Sequence, residues 1–161
     1  MIPRSQLIEI RLEAEDLMYD YVQCIDDGQL ERWPDFFVDD CDYRVIPREN
    51  ADAGLPAAII SCEGKGMLRD RIVALREANV FPQHHTRHVV SNTRVLRIED
   101  NIIHTQSNYV VLQTRIDGET FIFNAGRYVD EIVRTENQLR YRKKHCIFDT
   151  NRITTLMVTP I

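Results

Sequence analysis

No apolar run in this sequence approaches the ~18 residues that a membrane-crossing helix needs. The N-terminal stretch MIPRSQLIEIRLEAEDL has no long uncharged apolar core either, so it does not read as a secretory signal. The four cysteines, Cys24, Cys41, Cys62 and Cys146, lie far apart and form no CxxC pair. Without an export signal they read as reduced thiols, mostly buried, in a cytoplasmic protein. Positive charge is not in excess: 20 basic against 25 acidic side chains leave a net charge of −5, which argues against a nucleic-acid partner. There is no GxGxxG, no GxxxxGK(S/T) and no GxSxG, so dinucleotide loops, phosphate loops and nucleophile elbows are not indicated. No repeat, low-complexity tract or linker interrupts the chain, and it reads as one domain over residues 1–161.

What is present suits a soluble globule. With 43% hydrophobic and 28% charged residues, a chain of 161 residues hides enough surface to fold without staples. Ser5 is placed to cap a helix in which Leu7, Ile10, Ala14, Leu17, Met18, Tyr21, Val22 and Ile25 recur at the three-and-four spacing of one face. Asp27-Gly28 ends it. A short helical piece, LERWPDFF, follows, with Pro34 starting a new turn. Strands are predicted at 42–49 and 57–62 with the loop NADAGLP between them, then a helix at 64–78. After Pro82 the pattern is β throughout, in runs at 85–99, 102–117, 119–134 and 139–148. The turns Asp100-Asn101, Asp117-Gly118 and Glu136-Asn137 between them mark antiparallel hairpins.

Helices followed by a meander of long strands make an α+β layout. A strand of 15 residues spans ~50 Å, so the sheet must be strongly twisted and curved, leaving a concave side for three helices. Val89-Val90, Tyr109 to Leu112 and Phe121 to Phe123 are apolar at consecutive positions, and neighbouring strand residues face opposite ways. Both faces of the sheet are therefore partly apolar. Helices cover one, and the other needs a second subunit, or is shielded by bulges or the C-terminal tail, RITTLMVTPI.

Three of the five histidines, His84, His85 and His88, fall within FPQHHTRHVVSNTRV. His84 and His88 are four apart, a helical metal spacing, but Pro82 and the β pattern argue for a strand. On a strand the two share a face ~13 Å apart, while metal–ligand bonds are ~2 Å. A metal site and a polar strand entrance both remain open on these residues. Redox chemistry has less support, because no CxH and CxxH pair is present and no two histidines and a carboxylate are spaced to converge. Acid–base chemistry in the mouth of a cone has candidates in Tyr19, Asp39, Asp40, Tyr43, His85 and His104, all of which have ordinary readings as turns, core or surface. Arg69, Arg71 and Arg76 on the third helix, with Arg87, Arg94 and Arg97 on the next strand, suit either an interface or internal pairing with Asp70 and Glu77.

The ordered set LERWPDFF, CDYRV, MLRDRIVALREANVF and HTRHVVSNTRV, continued by YVVLQTRIDGETFIFNAGRYVD and KKHCIFDTNRITTLMVTPI, resembles the small, or beta, subunit of Rieske-type aromatic-ring-hydroxylating oxygenases. It is most similar to the salicylate-, anthranilate- and terephthalate-type small subunits. The resemblance covers nearly the whole chain. It implies a nuclear-transport-factor-2-like (cystatin-like) cone: a curved, mainly antiparallel sheet with about three helices on its concave side. It also implies a homotrimer of small subunits within a three-plus-three hexamer. The large subunit would carry the Rieske iron–sulfur cluster and the mononuclear iron, with no cofactor or metal on this chain. The residues carried over, Asp70, Arg71, Arg87, His88, Ser91, Asn92 and Arg94, are then framework and subunit-contact residues that tie the third helix to the first long strand and to a neighbouring chain. His84 and His85 vary in the family, which weakens the metal reading. The cone also hosts isomerases and dehydratases that use a carboxylate or histidine in a pocket, so a stand-alone enzyme of that kind is the second reading.

Overall fold

The structure is a computed structural model and describes residues 3–136, 138–150, 152–153 and 157–161. The chain opens with helix α1, Arg4–Asp26, which buries Ala14, Met18, Tyr21, Val22 and Ile25 on one face. Pro3, not Ser5, precedes its first turn: the Leu7 N–H donates to the Pro3 carbonyl at 3.1 Å, and no side chain caps the helix. Gly28 ends it with a positive φ of 70°, as a residue without Cβ does cheaply. A 3-10 turn, Leu30–Phe36, carries Trp33 and Pro34 into the core, with Pro34 inside the turn rather than at its start.

Strand β1, Phe37–Pro47, begins well before the alternation that marked residues 42–49, and stops where proline can no longer donate to a ladder. Its early part, VDDCD, escaped because its acids sit at a register shift between Phe37 and Asp42, where alternation breaks. Residues that read as the end of a strand and a loop instead include a one-turn helix α2, Arg48–Asp52, with no buried residue. Strand β2, Ile60–Glu63, is shorter than predicted. Helix α3, Lys65–Glu77, buries Leu68, Ile72 and Leu75. Strands β3 (His84–Glu99), β4 (Ile102–Arg115), β5 (Thr120–Thr135) and β6 (Gln138–Phe148) fall close to the four predicted runs. Asp100 and Asn101 both have positive φ, 51° and 62°, as a tight two-residue hairpin requires. Asn137 of the third predicted turn and Thr154 to Leu156 of the tail lie outside the described residues.

The six strands form one mixed sheet in the order β2-β1-β6-β5-β4-β3. Every pairing is antiparallel except β1 with β6, because α3 carries the chain to the far edge and the meander returns to β1. Register shifts that leave extra residues in β1, β3, β5 and β6 bend the long strands. The sheet curls around α1, the 3-10 turn and α3, and its concave rows are contiguous. Thr105, Asp130, Lys144, Tyr43 and Cys62 face each other across five strands, and Ser107, Tyr128, Cys146, Val45 and Ile60 form the next row; all are buried.

The consecutive apolar positions divide as the pleat demands. Tyr109, Val111 and Phe123 are buried, while Val89 and Ile122 are 52% and 61% exposed. The described end of the tail does not shield that outer face. Met157, Val158 and Ile161 join the core on the concave side, because a bent sheet leaves more room inside than three short helices fill.

All four cysteines are free and buried. Burial pushes the Cys41 thiol up to about 11 and the Cys146 thiol up to about 12. An aromatic disulfide reagent at pH 8 is therefore expected to titrate less than one equivalent in the native chain and all four after denaturation. Rapid native reaction of two or more thiols would contradict this packing.

Candidate functional site

The concave face is polar at its centre. The side chain of Lys144 is fully buried, with Nζ 3.2 Å from Oδ2 of Asp130. It lies over the rings of Tyr128, Tyr141 and Tyr21 at 3.7, 4.4 and 4.6 Å. Three ring faces and one carboxylate thus take the place of water around an ammonium, which is how a buried cation is tolerated. Burial pushes the Asp130 carboxyl up to about 6, against the pull of Lys144. Burial likewise holds Tyr21, Tyr43, Tyr128 and Tyr141 well above the ordinary phenol range, so they stay neutral hydroxyls.

In a cone-shaped enzyme this acid, base and ring of phenols would line a pocket. Here the space is taken by the chain itself. Ile161, 1% exposed, receives hydrogen bonds at its carbonyl oxygen from Tyr21 Oη at 2.8 Å and Tyr43 Oη at 3.2 Å. Its N–H donates back to Tyr43 Oη at 3.1 Å. Edge-on packing of Trp33, Phe37, Tyr43 and Tyr141, with ring centres 5.0–6.0 Å apart, fills the remaining volume. The large clefts lie elsewhere: one of about 760 Å³ runs past Asp39, Lys65 and Arg140, and one of about 740 Å³ past Glu9, Glu13 and Arg134. Both are open surface grooves rather than enclosed sites.

A second buried pair joins α1 to β3. His88 Nδ1 donates to Asp26 Oδ1 at 2.6 Å, and the His88 backbone N–H donates to Asp26 Oδ2 at 2.8 Å. Both side chains are nearly inaccessible. The carboxylate uses both oxygens, so it holds the strand backbone and the imidazole together. Asp26 is not singled out by the sequence patterns; the helix stop named above is the next pair, Asp27-Gly28. Its signal is slight, an acid directly after the last buried apolar residue, Ile25, and nothing local pairs it with a histidine 62 positions away.

The histidine cluster is a strand entrance. His84 and His88 share the inner face, His84 at the start of an unbroken run of pairing that continues past His88 to Ser91, and His85 is exposed on the other face. His84 Nδ1 bonds the Pro82 carbonyl at 2.8 Å. No group of three His, Cys, Asp or Glu side chains converges to hold a metal among the described residues.

The acid–base candidates are scattered. Tyr19 is half exposed, Asp39, Asp40 and His85 are exposed, and His104 sits on the convex face opposite Arg97 and Glu131; Tyr43 alone is inside. The seven carried-over residues divide as well. Arg71 does not reach the first long strand: its Nη2 donates to the carbonyls of Met157 and Val158 at 3.0 and 3.4 Å, tying α3 to the tail. His88 is the one that braces the strand, through Asp26. Asp70, Arg87, Ser91, Asn92 and Arg94 are exposed, and Asn92, with φ 56°, lies in the β3 bulge. The β3 ion pairs use His88 and Arg97, so among the described residues Arg87 has no carboxylate to lose and Arg87→Ala is not destabilising within one chain. Of the α3 arginines, Arg76 pairs with Glu31 at 2.8 Å and not with Asp70 or Glu77, and Lys65 of the same helix pairs with Asp39 at 3.6 Å.

Comparison with known proteins agrees with this architecture. The sequence model described as "Ring hydroxylating beta subunit" matches residues 21–155. The chain is 48% identical over 141 residues to the anthranilate 1,2-dioxygenase small subunit of Burkholderia cepacia, covering 88% of each. It is 34% identical to a terephthalate 1,2-dioxygenase terminal oxygenase subunit, beta 2, of Comamonas, covering 88% of this chain and 92% of that one. A crystal structure from Novosphingobium aromaticivorans, described as the beta subunit of a candidate aromatic-ring-hydroxylating dioxygenase, superposes with a TM-score of 0.87 at 47% identity, over 94% and 97% of the two chains. A candidate scytalone dehydratase from the same organism, 17% identical with a TM-score of 0.71, shares the fold alone. A cone whose concave side is closed by its own tail, with a ring-hydroxylating beta-subunit match over most of its length, is the small subunit of an aromatic-ring-hydroxylating dioxygenase, and the chain belongs to the ring-hydroxylating beta-subunit family.

Proposed function

We propose that this chain is the non-catalytic assembly subunit of an oxygenase acting on an aromatic acid of the anthranilate or terephthalate kind, and that three copies seat three large subunits. The Rieske cluster and the mononuclear iron then reside on the large subunit. The observation that carries this reading is Ile161, seated between Tyr21 and Tyr43 where a pocket enzyme would hold substrate. The convex face, with Val89 and Ile122 exposed, supplies what a scaffold needs instead. The stand-alone dehydratase or isomerase reading is disfavoured because Tyr19, Tyr43, His85 and His104 lie apart, and Asp39 and Asp40 line an open surface groove with none of them beside it. No helix among the described residues is long and apolar enough to cross a membrane.

Co-expression with the large subunit tests the reading. The expected result is one complex with equal numbers of the two chains and the mass of a hexamer. Its iron should all travel with the large subunit when the two are separated. Iron retained by the small chain, or turnover of an aromatic acid by that chain alone, would refute it.

A further inference from the structure

The rim of the cone keeps one small cavity that the described end of the tail does not line. Between α3 and β3 the chain crosses the end of the sheet as residues 80–83, in neither helix nor strand. Beside that crossing lies a cavity of about 310 Å³, lined by Val80, Phe81 and Pro82 from the crossing and by His84, Gln113 and Arg115 from β3 and β4. Pockets of this size begin to accommodate small organic ligands. The register explains the lining. His84 pairs with Arg115, and Thr86 with Gln113, so the three side chains project from neighbouring rungs of one face.

Gln113 is the unusual member. It is 3% exposed, yet its side-chain amide makes no hydrogen bond among the described residues, and it is not one of the sealed polar groups of the core. Strand β4 lies between β3 and β5, so its backbone groups serve the two ladders and the side chain is what Gln113 offers the cavity. A buried amide without a partner is costly, and a ligand that completes its bonding recovers that cost. Arg115 stands beside it. Its Nη1 lies 3.1 Å from Oε2 of Glu119, and its Cζ 4.9 Å over the Phe121 ring. Both members of that ion pair are exposed, so the pair is weak and an entering anion competes for the guanidinium. A carbonyl oxygen only accepts, so His84 Nδ1 donates to the Pro82 carbonyl at 2.8 Å. That bond holds the imidazole as a second flat wall, 5.8 Å from the Phe81 ring.

We propose that this cavity binds a small aromatic carboxylate, with the ring against Phe81, Pro82 and His84 and the carboxylate shared by the Arg115 guanidinium and the Gln113 amide N–H. Flat and apolar walls with one cation and one amide at the end match a planar ring that carries a single anion. A nucleotide would find one cation for several negative charges, and a hydrocarbon would leave both polar groups unpaired. The site binds without reacting. It does not depend on the assembly reading, because the ligand class follows from the lining alone.

The test is calorimetric titration of benzoate into the full-length chain, with benzamide and hexanoate as controls. Benzoate is expected to bind at a single site with a Kd of about 1 mM or tighter, as ligands this small do. Benzamide, which has no charge for Arg115, and hexanoate, which has no ring for the flat walls, should each bind about tenfold more weakly or worse. Gln113→Leu and, separately, Arg115→Met should each weaken benzoate by about tenfold or more. The Arg115 side chain is half exposed, so Arg115→Met keeps the parental melting temperature and remains informative even if Gln113→Leu does not fold. No benzoate binding up to about 10 mM overturns the proposal. So does benzoate binding that is unchanged in Arg115→Met or in a folded Gln113→Leu chain, or a control ligand that binds as tightly as benzoate. None of these outcomes reads the oligomeric state, so the assembly reading stands or falls separately.

Discussion

Lys144→Ala lowers the stability of this chain by about 3–5 kcal/mol, because it strands the Asp130 carboxylate in a site with no water to replace the lost cation. Both side chains are almost completely buried, and Asp130 Oδ1 already has no partner among the described residues. Replacing the pair together, Lys144→Met with Asp130→Leu, is expected to come within about 2 kcal/mol of the parent or exceed it, since two desolvation costs vanish along with one attraction. Urea unfolding of the three variants checks this. A single variant as stable as the double would show that the pair is not isolated from solvent.

The same pair gives the chain a pH signature of definite sign. Burial raises the folded Asp130 carboxyl to about 6, above its unfolded value near 4. Between those values the folded chain holds a proton that the unfolded chain has released. This group alone therefore makes stability fall as pH rises from about 4 to about 6, by at most ~1.4 kcal/mol per unit, and contributes no slope above. Asp130→Asn removes that slope, and Lys144→Ala extends it upward because the attraction that opposes burial is gone.

Gly126→Ala is the second substitution with a large expected effect, a loss above about 4 kcal/mol, outside the usual range for one methyl. Gly126 pairs with Phe148 on β6 and Tyr109 on β4. A Cβ there would collide with the Ile147 carbonyl oxygen and lie 2.7 Å from the Phe148 Cα. Both are backbone atoms in a ladder, so no rotamer change relieves the contact; β5 and β6 would have to separate next to the Tyr109–Tyr128 stack, whose rings lie 4.3 Å apart. Gly66 in α3 is the control. It has open space and no positive φ, so Gly66→Ala should stabilise by about 0.4–1 kcal/mol. Thermal melts of the two alanine variants should move in opposite directions. A folded Gly126→Ala chain with a parental melting temperature would show that the strands can spread there at little cost.

The elements with a strong local period were legible from the residues: α1 from its apolar face, and β3 to β6 from alternation and paired turn residues. What was missed lay where local signals conflict. The acids of VDDCD hid the start of β1, and RENAD gave no apolar face to mark α2. The site was less legible than the fold. Lys144 stands in RKKHC, a run that reads as solvated charge, and only its register opposite Asp130 and Tyr43 turns it inward. The partners of Arg71 are carbonyls of the tail, which no spacing reveals.

The residues by themselves determined the α+β class, the strand meander and the family, and they contained no paired motifs for an iron–sulfur centre. Those properties depend on neighbours in the chain, or on an ordered series of short segments, and both can be read along a line. Only the tertiary structure decided that Asp26 holds His88, that Lys144 is caged by three tyrosines, and that residues 157–161 enter the cone instead of covering its back. Each of these depends on the curvature and register of a six-stranded sheet. Burial, which makes a carboxylate or an ammonium costly or useful, is set by groups from distant parts of the chain meeting where water cannot follow.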